Sequence, residues 1–293
     1  MMITANGLNI HLEVRGTGKP VVCLHGFSEN LGTWDSIELD GFQLILVDMP
    51  GHGSTEKPSA LQPYKLLTLL ETLHDLIKQL ELGQHSMMGY SMGGRIALAY
   101  TLQYPREIAK LILESVSYGE CGEHSREKRR RDDAVLAEDI RQNGIEWFES
   151  YWSGLEIFKT QARLPEEVRA RIKKHRLQNE PYALANTLLE SGQGTFPCLK
   201  DRVAELMMPV LFISGELDPK YQKISREFSH LNARIIRQTI SGVGHNTHLE
   251  DPQTFQAVVS EFLSVDALDK NTERRNKNSG KRNMNPEKKN TIL

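Results

Sequence analysis

The chain has 293 residues, 39% of them hydrophobic and 25% charged, which is enough apolar material for one large or two small cored domains and excludes a disordered, collagen-like or coiled-coil protein. No apolar run approaches the roughly 18 residues that a membrane helix needs, and the opening MMITANGLNIHLEVRG lacks the basic and apolar regions of a signal peptide. A formal charge of −2 gives no general attraction to nucleic acid or membranes, so neither is expected as a partner.

In chain order, short apolar, β-branched runs recur at Val21 to Leu24, Leu44 to Val47, Ser86 to Met88 and Lys110 to Leu113, each followed by a polar loop. Between the second and third, apolar residues three and four apart from Leu66 to Leu82, stopped by Gly83, predict an amphipathic helix. From about Tyr118 to about Gly194 the strand signals vanish and a charged, helix-forming segment takes over. Strands return at Val210 to Ser214 and Arg234 to Thr239, and a helix follows around Thr254 to Leu263. The alternation predicts an α/β fold with a mostly parallel sheet flanked by helices and interrupted by a helical cap. The expected organisation is a core over 1–117, a cap over 118–194, the rest of the core over 195–264 and a disordered tail over 265–293. That tail holds eight Lys/Arg against four acidic residues, +4, and the preceding residues then carry −6. Cys23, Cys121 and Cys198 are odd in number, widely spaced and in no CxxC pair, so neither a disulfide framework nor a zinc knuckle is expected, and a reducing cytoplasm fits. Cys23 reads as core packing.

The chemistry concentrates at strand ends, where open α/β sheets bind ligands. Gly89-Tyr90-Ser91-Met92-Gly93 lies directly after a predicted strand and before a helix, the setting of a G-x-S-x-G nucleophile elbow. Its glycines permit a tight turn that holds the Ser91 hydroxyl at a helix N-terminus, where free N–H groups favour developing negative charge. A serine that loses its proton needs an imidazole, and the imidazole a carboxylate. Asp218, in GELDP, and His245, in GVGH, follow in the required order; Glu216 is the competing acid. His245 and His248 form no metal signature, and no metal is expected. The backbone N–H groups of Phe27 and Met92 are the candidate oxyanion donors. His25, Asp48 and His52 read as braces for their loops.

The HGF loop, DMPGHGST, GYSMGG, GELD and GVGH together resemble the α/β-hydrolase superfamily over about residues 1–264. Serine at the elbow departs from the dehalogenases and epoxide hydrolases of that fold, which use aspartate. The helix GYSMGGRIALAY, the strand LILES followed by a basic stretch, and GHNTHLEDP are similar to one branch, the 2-succinyl-6-hydroxy-2,4-cyclohexadiene-1-carboxylate synthases of menaquinone biosynthesis. The resemblance implies a lyase whose Ser-His-Asp set acts as a base and eliminates pyruvate from its substrate, abbreviated SEPHCHC. It implies a basic pocket for a small multi-carboxylate substrate and no cofactor. Arg95, four residues after Ser91 on the same helix face, then becomes a carboxylate clamp, its other reading being an ion pair with a neighbouring helix. Within the basic run Arg126, Lys128, Arg129, Arg130 and Arg131, Arg129 resembles an anion-binding cap arginine, with Arg130 the fallback. Arg176 resembles a second, Trp152 a pocket wall, and Tyr90 completes the substrate-binding set. Competing readings are a cytosolic serine carboxylesterase, thioesterase or C–C bond hydrolase acting through an acyl-enzyme, and a non-catalytic small-molecule receptor. The sequence leaves monomer and homo-oligomer both open.

Overall fold

The computed structural model describes residues 1–265. The expected basic tail, Val265 apart, lies outside the described residues. Eight strands form one sheet: β1 (Met2–Ala5), β2 (Leu8–Gly16), β3 (Lys19–Leu24), β4 (Phe42–Val47), β5 (His85–Tyr90), β6 (Ile108–Glu114), β7 (Val210–Gly215) and β8 (Ile235–Ile240), in the order β1-β2-β4-β3-β5-β6-β7-β8. β1 pairs antiparallel with β2 and β2 with β4; every other pairing is parallel. The parallel strands β3 to β7 are buried on both faces over most of their length, which is why they read as continuous apolar runs. Val22 and Leu24 join one core with helices α1 (Leu66–Gln79) and α2 (Met92–Gln103). Val21 and Cys23 point to the opposite face, against Trp34 and the last helix. Burial pushes the Cys23 thiol far above its ordinary value, in keeping with inert packing.

The N-terminal hairpin is absent from the sequence reading. Its turn, Asn6-Gly7, holds both residues at positive φ (48° and 78°), the geometry that tight hairpins require. The amphipathic helix ends at Gln79, short of the expected Leu82, because Glu81 and Gly83 take positive φ and turn the chain. Helix α6 (Pro219–Leu231), also unexpected, begins with Asp218 as its N-cap, the carboxylate accepting the Tyr221 N–H at 3.2 Å. The core closes with α7 (Thr247–Glu250) and α8 (Pro252–Ser264).

Between β6 and β7 the chain leaves the sheet and forms α3 (Glu123–Ser153), broken at Gly144, then α4 (Glu166–Leu177) and α5 (Pro181–Ser191). These helices reach back over the C-terminal ends of the strands: Asn179 Nδ2 donates to the Ser28 carbonyl at 2.9 Å. The insertion leaves and returns at one point, where the Leu199 N–H donates to the Tyr118 carbonyl at 2.7 Å. Here the structure corrects the cysteine reading. Cys121 and Cys198 are joined in a disulfide, their Cα atoms 4.9 Å apart although 77 residues separate them. Spacing along the chain could not reveal a pair that only the return of the insertion brings together, and cysteine usage therefore gives no argument for a reducing compartment.

Candidate active site

The elbow is built from β5 and α2. Ser91 sits between them at φ 50°, ψ −106°, a sparsely populated conformation held by its neighbours. A Cβ on Gly93 would lie 2.3 Å from the Leu24 carbonyl oxygen, and one on Gly89 2.6 Å from Gly93 O, so the backbones approach more closely than any side chain allows. The Ser91 N–H donates to the Glu114 carbonyl at 2.9 Å and ties the elbow to the end of β6.

His245, on the loop after β8, is brought opposite. Its Nε2 lies 3.2 Å from Ser91 Oγ, and its Nδ1–H donates to Asp218 Oδ2 at 2.7 Å. Asp218 and His245 are both buried, which strengthens their hydrogen bond. Glu216 faces elsewhere, accepting the Gly242 N–H at 2.8 Å. Of the two acids, only Asp218 meets the imidazole. Neither the Phe27 nor the Met92 N–H has a protein acceptor among the described residues, and the Gly93 N–H donates to the His25 carbonyl at 3.1 Å, which ties the loop that carries Phe27 to the start of α2.

The bracing residues sit behind this centre. His25 donates from Nδ1 to the Gly26 carbonyl at 2.7 Å and accepts the Met49 N–H on Nε2 at 3.0 Å. Asp48 accepts the Leu31 and Ser54 N–H groups at 2.7 and 2.8 Å. His52 donates to the Pro50 carbonyl at 3.2 Å, while its Nε2 is buried without a partner among the described residues. Burial, with His25 nearby, depresses its pKa to about 3, so it is neutral. The Tyr90 ring is buried against His245, 5.4 Å between centroids, in the space that Gly26 leaves by lacking a side chain.

The predicted arginines divide into two groups. Arg95 is buried, donates to the Ser191 carbonyl at 3.3 Å, and lies 5.4 Å from the Phe196 ring centroid. It has no carboxylate partner among the described residues; its bond to the neighbouring helix goes to the carbonyl of the last residue of α5, and its Nε is buried and unsatisfied. Burial pushes its pKa down to about 10; nearby Arg129 lowers it further, while Tyr221 and Asp133 oppose this. Arg129 is partly buried and donates to Asp133 Oδ1 at 2.8 Å, whereas Arg130 is exposed. Half-buried Arg126, three residues earlier on the same helix face, also leaves its Nε unsatisfied.

Arg176 lies on the other side. It is buried, donates from Nη1 to Ser153 Oγ at 2.7 Å, and rests 5.1 Å from the Phe158 ring centroid. Burial lowers its pKa, against the pull of Glu29, Tyr90 and Glu149. It lines a cavity of about 260 Å³ with Ser153, Phe158, Gln161 and Lys173. Trp152 meets Phe27 edge-on at 5.2 Å and Phe158 at 5.8 Å, and Phe158 in turn faces His245 at 6.1 Å. Phe158 and Glu29, whose Oε1 accepts from Asn246 at 3.1 Å, are absent from the sequence reading. Neither falls in a motif; Glu29 lies two residues beyond the HGF loop. Among the described residues no group of three or more His, Cys, Asp or Glu side chains could hold a metal ion. A serine, an imidazole and a carboxylate in hydrogen-bonded series, with unpaired N–H groups and buried guanidinium groups around them, can abstract a proton or attack a carbonyl and then stabilise an anion.

A family model described as the alpha/beta hydrolase fold matches residues 19–252. The chain is 37% identical to a Bacillus subtilis (strain 168) protein, over 86% of this chain and 93% of the relative, whose name proposes a 2-succinyl-6-hydroxy-2,4-cyclohexadiene-1-carboxylate synthase. It is 30% identical to the synthase of that name from Enterobacter sp. (strain 638), covering 84% and 93%. Among solved structures, MenH from S. aureus superposes with a TM-score of 0.82 at 31% identity, over 86% of this chain and 97% of that one. A malate-bound thermophilic esterase from Thermogutta terrifontis gives 0.77 at 25% identity, over 90% and 97%. The chain belongs to the enzymes of the α/β-hydrolase fold and, within them, to the family of the 2-succinyl-6-hydroxy-2,4-cyclohexadiene-1-carboxylate synthases.

Proposed function

We propose that this enzyme is a carbon–oxygen lyase, the synthase that forms 2-succinyl-6-hydroxy-2,4-cyclohexadiene-1-carboxylate by eliminating pyruvate. Ser91 passes its proton to His245, Asp218 supports the imidazolium, and the Ser91 alkoxide takes a proton from a ring carbon of the substrate. The electron pair released forms the ring C=C bond as the C–O bond breaks, and the enolpyruvate that leaves becomes pyruvate on reprotonation. Phe27 and Met92 N–H groups meet the charge that develops on the substrate. Arg95, Arg129 and Arg176 hold its carboxylates between Tyr90 and the Trp152 wall, and the inserted helices act as a cap over residues 118–194. The reading carries no cofactor, a small multi-carboxylate ligand and a cytoplasmic setting; no helix among the described residues is long and apolar enough to cross a membrane.

The observation that carries this reading is a buried arginine, Arg95, left without a carboxylate partner beside a hydrogen-bonded Ser91–His245–Asp218 series. A buried guanidinium with unsatisfied donors is costly unless an anion arrives to use them. The second reading, an acyl-enzyme esterase, is favoured by the likeness to the Thermogutta esterase. A coupled assay decides: SEPHCHC is supplied and pyruvate is measured, with Ser91→Ala as control. Release that falls by several orders of magnitude in the variant supports the lyase. No release, with Ser91-dependent cleavage of p-nitrophenyl esters, moves the assignment to the esterase.

A further inference from the structure

Behind the Ser91–His245 pair lies a second acid–imidazole couple that the mechanism does not use. Glu114, the last residue of β6, and His248, in α7, are both 0% exposed, and His248 Nδ1–H donates to Glu114 Oε2 at 2.6 Å. The other carboxylate oxygen accepts the Thr247 hydroxyl at 2.7 Å and the His248 N–H at 3.0 Å. The far side of the His248 ring is also occupied: Nε2 meets Thr33 Oγ1 at 2.7 Å, and the ring stacks on Trp34 at 4.2 Å. Every polar atom of the couple is therefore satisfied, and neither residue has a face open to a ligand.

The placement of these bonds has a consequence for chemistry. The Glu114 carbonyl receives the Ser91 N–H, while its carboxylate receives two donors from Thr247 and His248, two and three residues after His245. Ser91 and His245 come from sequence positions 154 apart and from different loops, yet their reactive atoms must stay within hydrogen-bond reach. One residue grips both loops. Buried hydrogen bonds with every polar atom satisfied are costly to break, so the two loops are held together at this point.

We infer that Glu114, acting with His248, is a positioning residue that sets the distance between the Ser91 hydroxyl and the His245 imidazole. The inference rests on the triad reading of Ser91, Asp218 and His245 and holds for either the lyase or the esterase chemistry. An error of about 1 Å in such a distance costs about 100-fold in rate.

The experiment uses the full chain and two variants, Glu114→Gln and Thr247→Val, the second removing a single hydrogen bond at nearly constant shape. An uncharged p-nitrophenyl alkylphosphonate reports Ser91 reactivity through p-nitrophenol release and a mass adduct. Pyruvate release gives kcat and KM. The low-field proton resonance of His245 Nδ1–H reports the imidazole's placement, and melting temperature reports folding. Glu114→Gln should slow labelling and lower kcat by about 10- to 100-fold, and Thr247→Val by about 5-fold, with KM within about twofold and the low-field line shifted or lost. Should Glu114→Gln fail to fold, Thr247→Val alone decides. Folded variants that label at the unmodified rate and keep the line overturn the inference. If the unmodified protein is not labelled and shows no low-field line, the triad reading fails and takes this inference with it; if the line is present without labelling, its shift in the variants supports the positioning role and its constancy overturns it.

Discussion

At the scale of single residues, burial decides what each charge can do. Arg95 is 6% exposed and holds only a carbonyl, so its remaining donors await an acceptor. Replacing it with methionine keeps the volume and removes the donors; turnover of SEPHCHC should fall by about 100-fold, in line with the loss of a charge-assisted hydrogen bond, and cleavage of a neutral ester by no more than a few-fold. Equal losses on the two substrates would contradict an anion site. His52 gives a pH signature. Its folded pKa is near 3, against an ordinary 6.5, so between these values the unfolded chain takes up a proton that the folded protein refuses. Its contribution to stability is complete above about pH 6.5 and is lost as pH falls from there toward 3. His52→Gln should therefore flatten the drop in melting temperature between pH 7 and pH 4.5; an unchanged drop would show that the ring is not held neutral. Much of this was legible in the sequence, because Ser91, Asp218 and His245 stand at fixed places in strand-end loops. Glu114, His248 and Phe158 were not: a buried glutamate looks like any strand-end acid until its hydrogen bonds are seen, and nothing in EIFKTQAR marks one ring as facing His245.

At the scale of elements, the elbow is a steric construction. Three backbones, those of β3, β5 and α2, approach so closely that Gly93 has no room for a methyl group beside the Leu24 carbonyl. Gly93→Ala should cost about 1 to 3 kcal/mol by overpacking, seen as a lower melting temperature, and should slow phosphonate labelling of Ser91 by displacing its loop. Wild-type stability and labelling would mean that the turn is looser than the structure has it. The central strands were legible because burial on both faces writes an uninterrupted apolar run, and α1 because one buried stripe writes a helical period. The edges were read unevenly: β8, expected over Arg234 to Thr239, forms although it buries only Ile235 and Ile240 and leaves Ile236 to Thr239 exposed, whereas β1 and β2, a hairpin whose Asn-Gly turn is its clearest mark, were not read. In the insertion the arginines recur so densely along α3 that no period separates the inward from the outward ones; Arg129, half-buried, meets Asp133 one turn on.

At the scale of the whole molecule, the Cys121–Cys198 bond closes a long loop around the inserted helices. Cross-linking residues 77 apart removes loop entropy from the unfolded chain worth about 4 kcal/mol. A reductant should therefore lower the melting temperature by roughly 10 °C, and Cys198→Ser should show the lower value with no further response to reductant. Insensitivity of the unmodified protein would mean the thiols are free in solution. The same neck has a consequence for how such a molecule diverges. Because the chain departs and returns through two residues whose Cα atoms are 4.9 Å apart, everything between them is a cassette plugged into the sheet at a single socket. The gap is narrow enough for a single residue to span. A different cassette can be grafted there without rerouting a strand, so a lineage can exchange the inserted helices while Ser91, His245 and Asp218 stay where the sheet puts them.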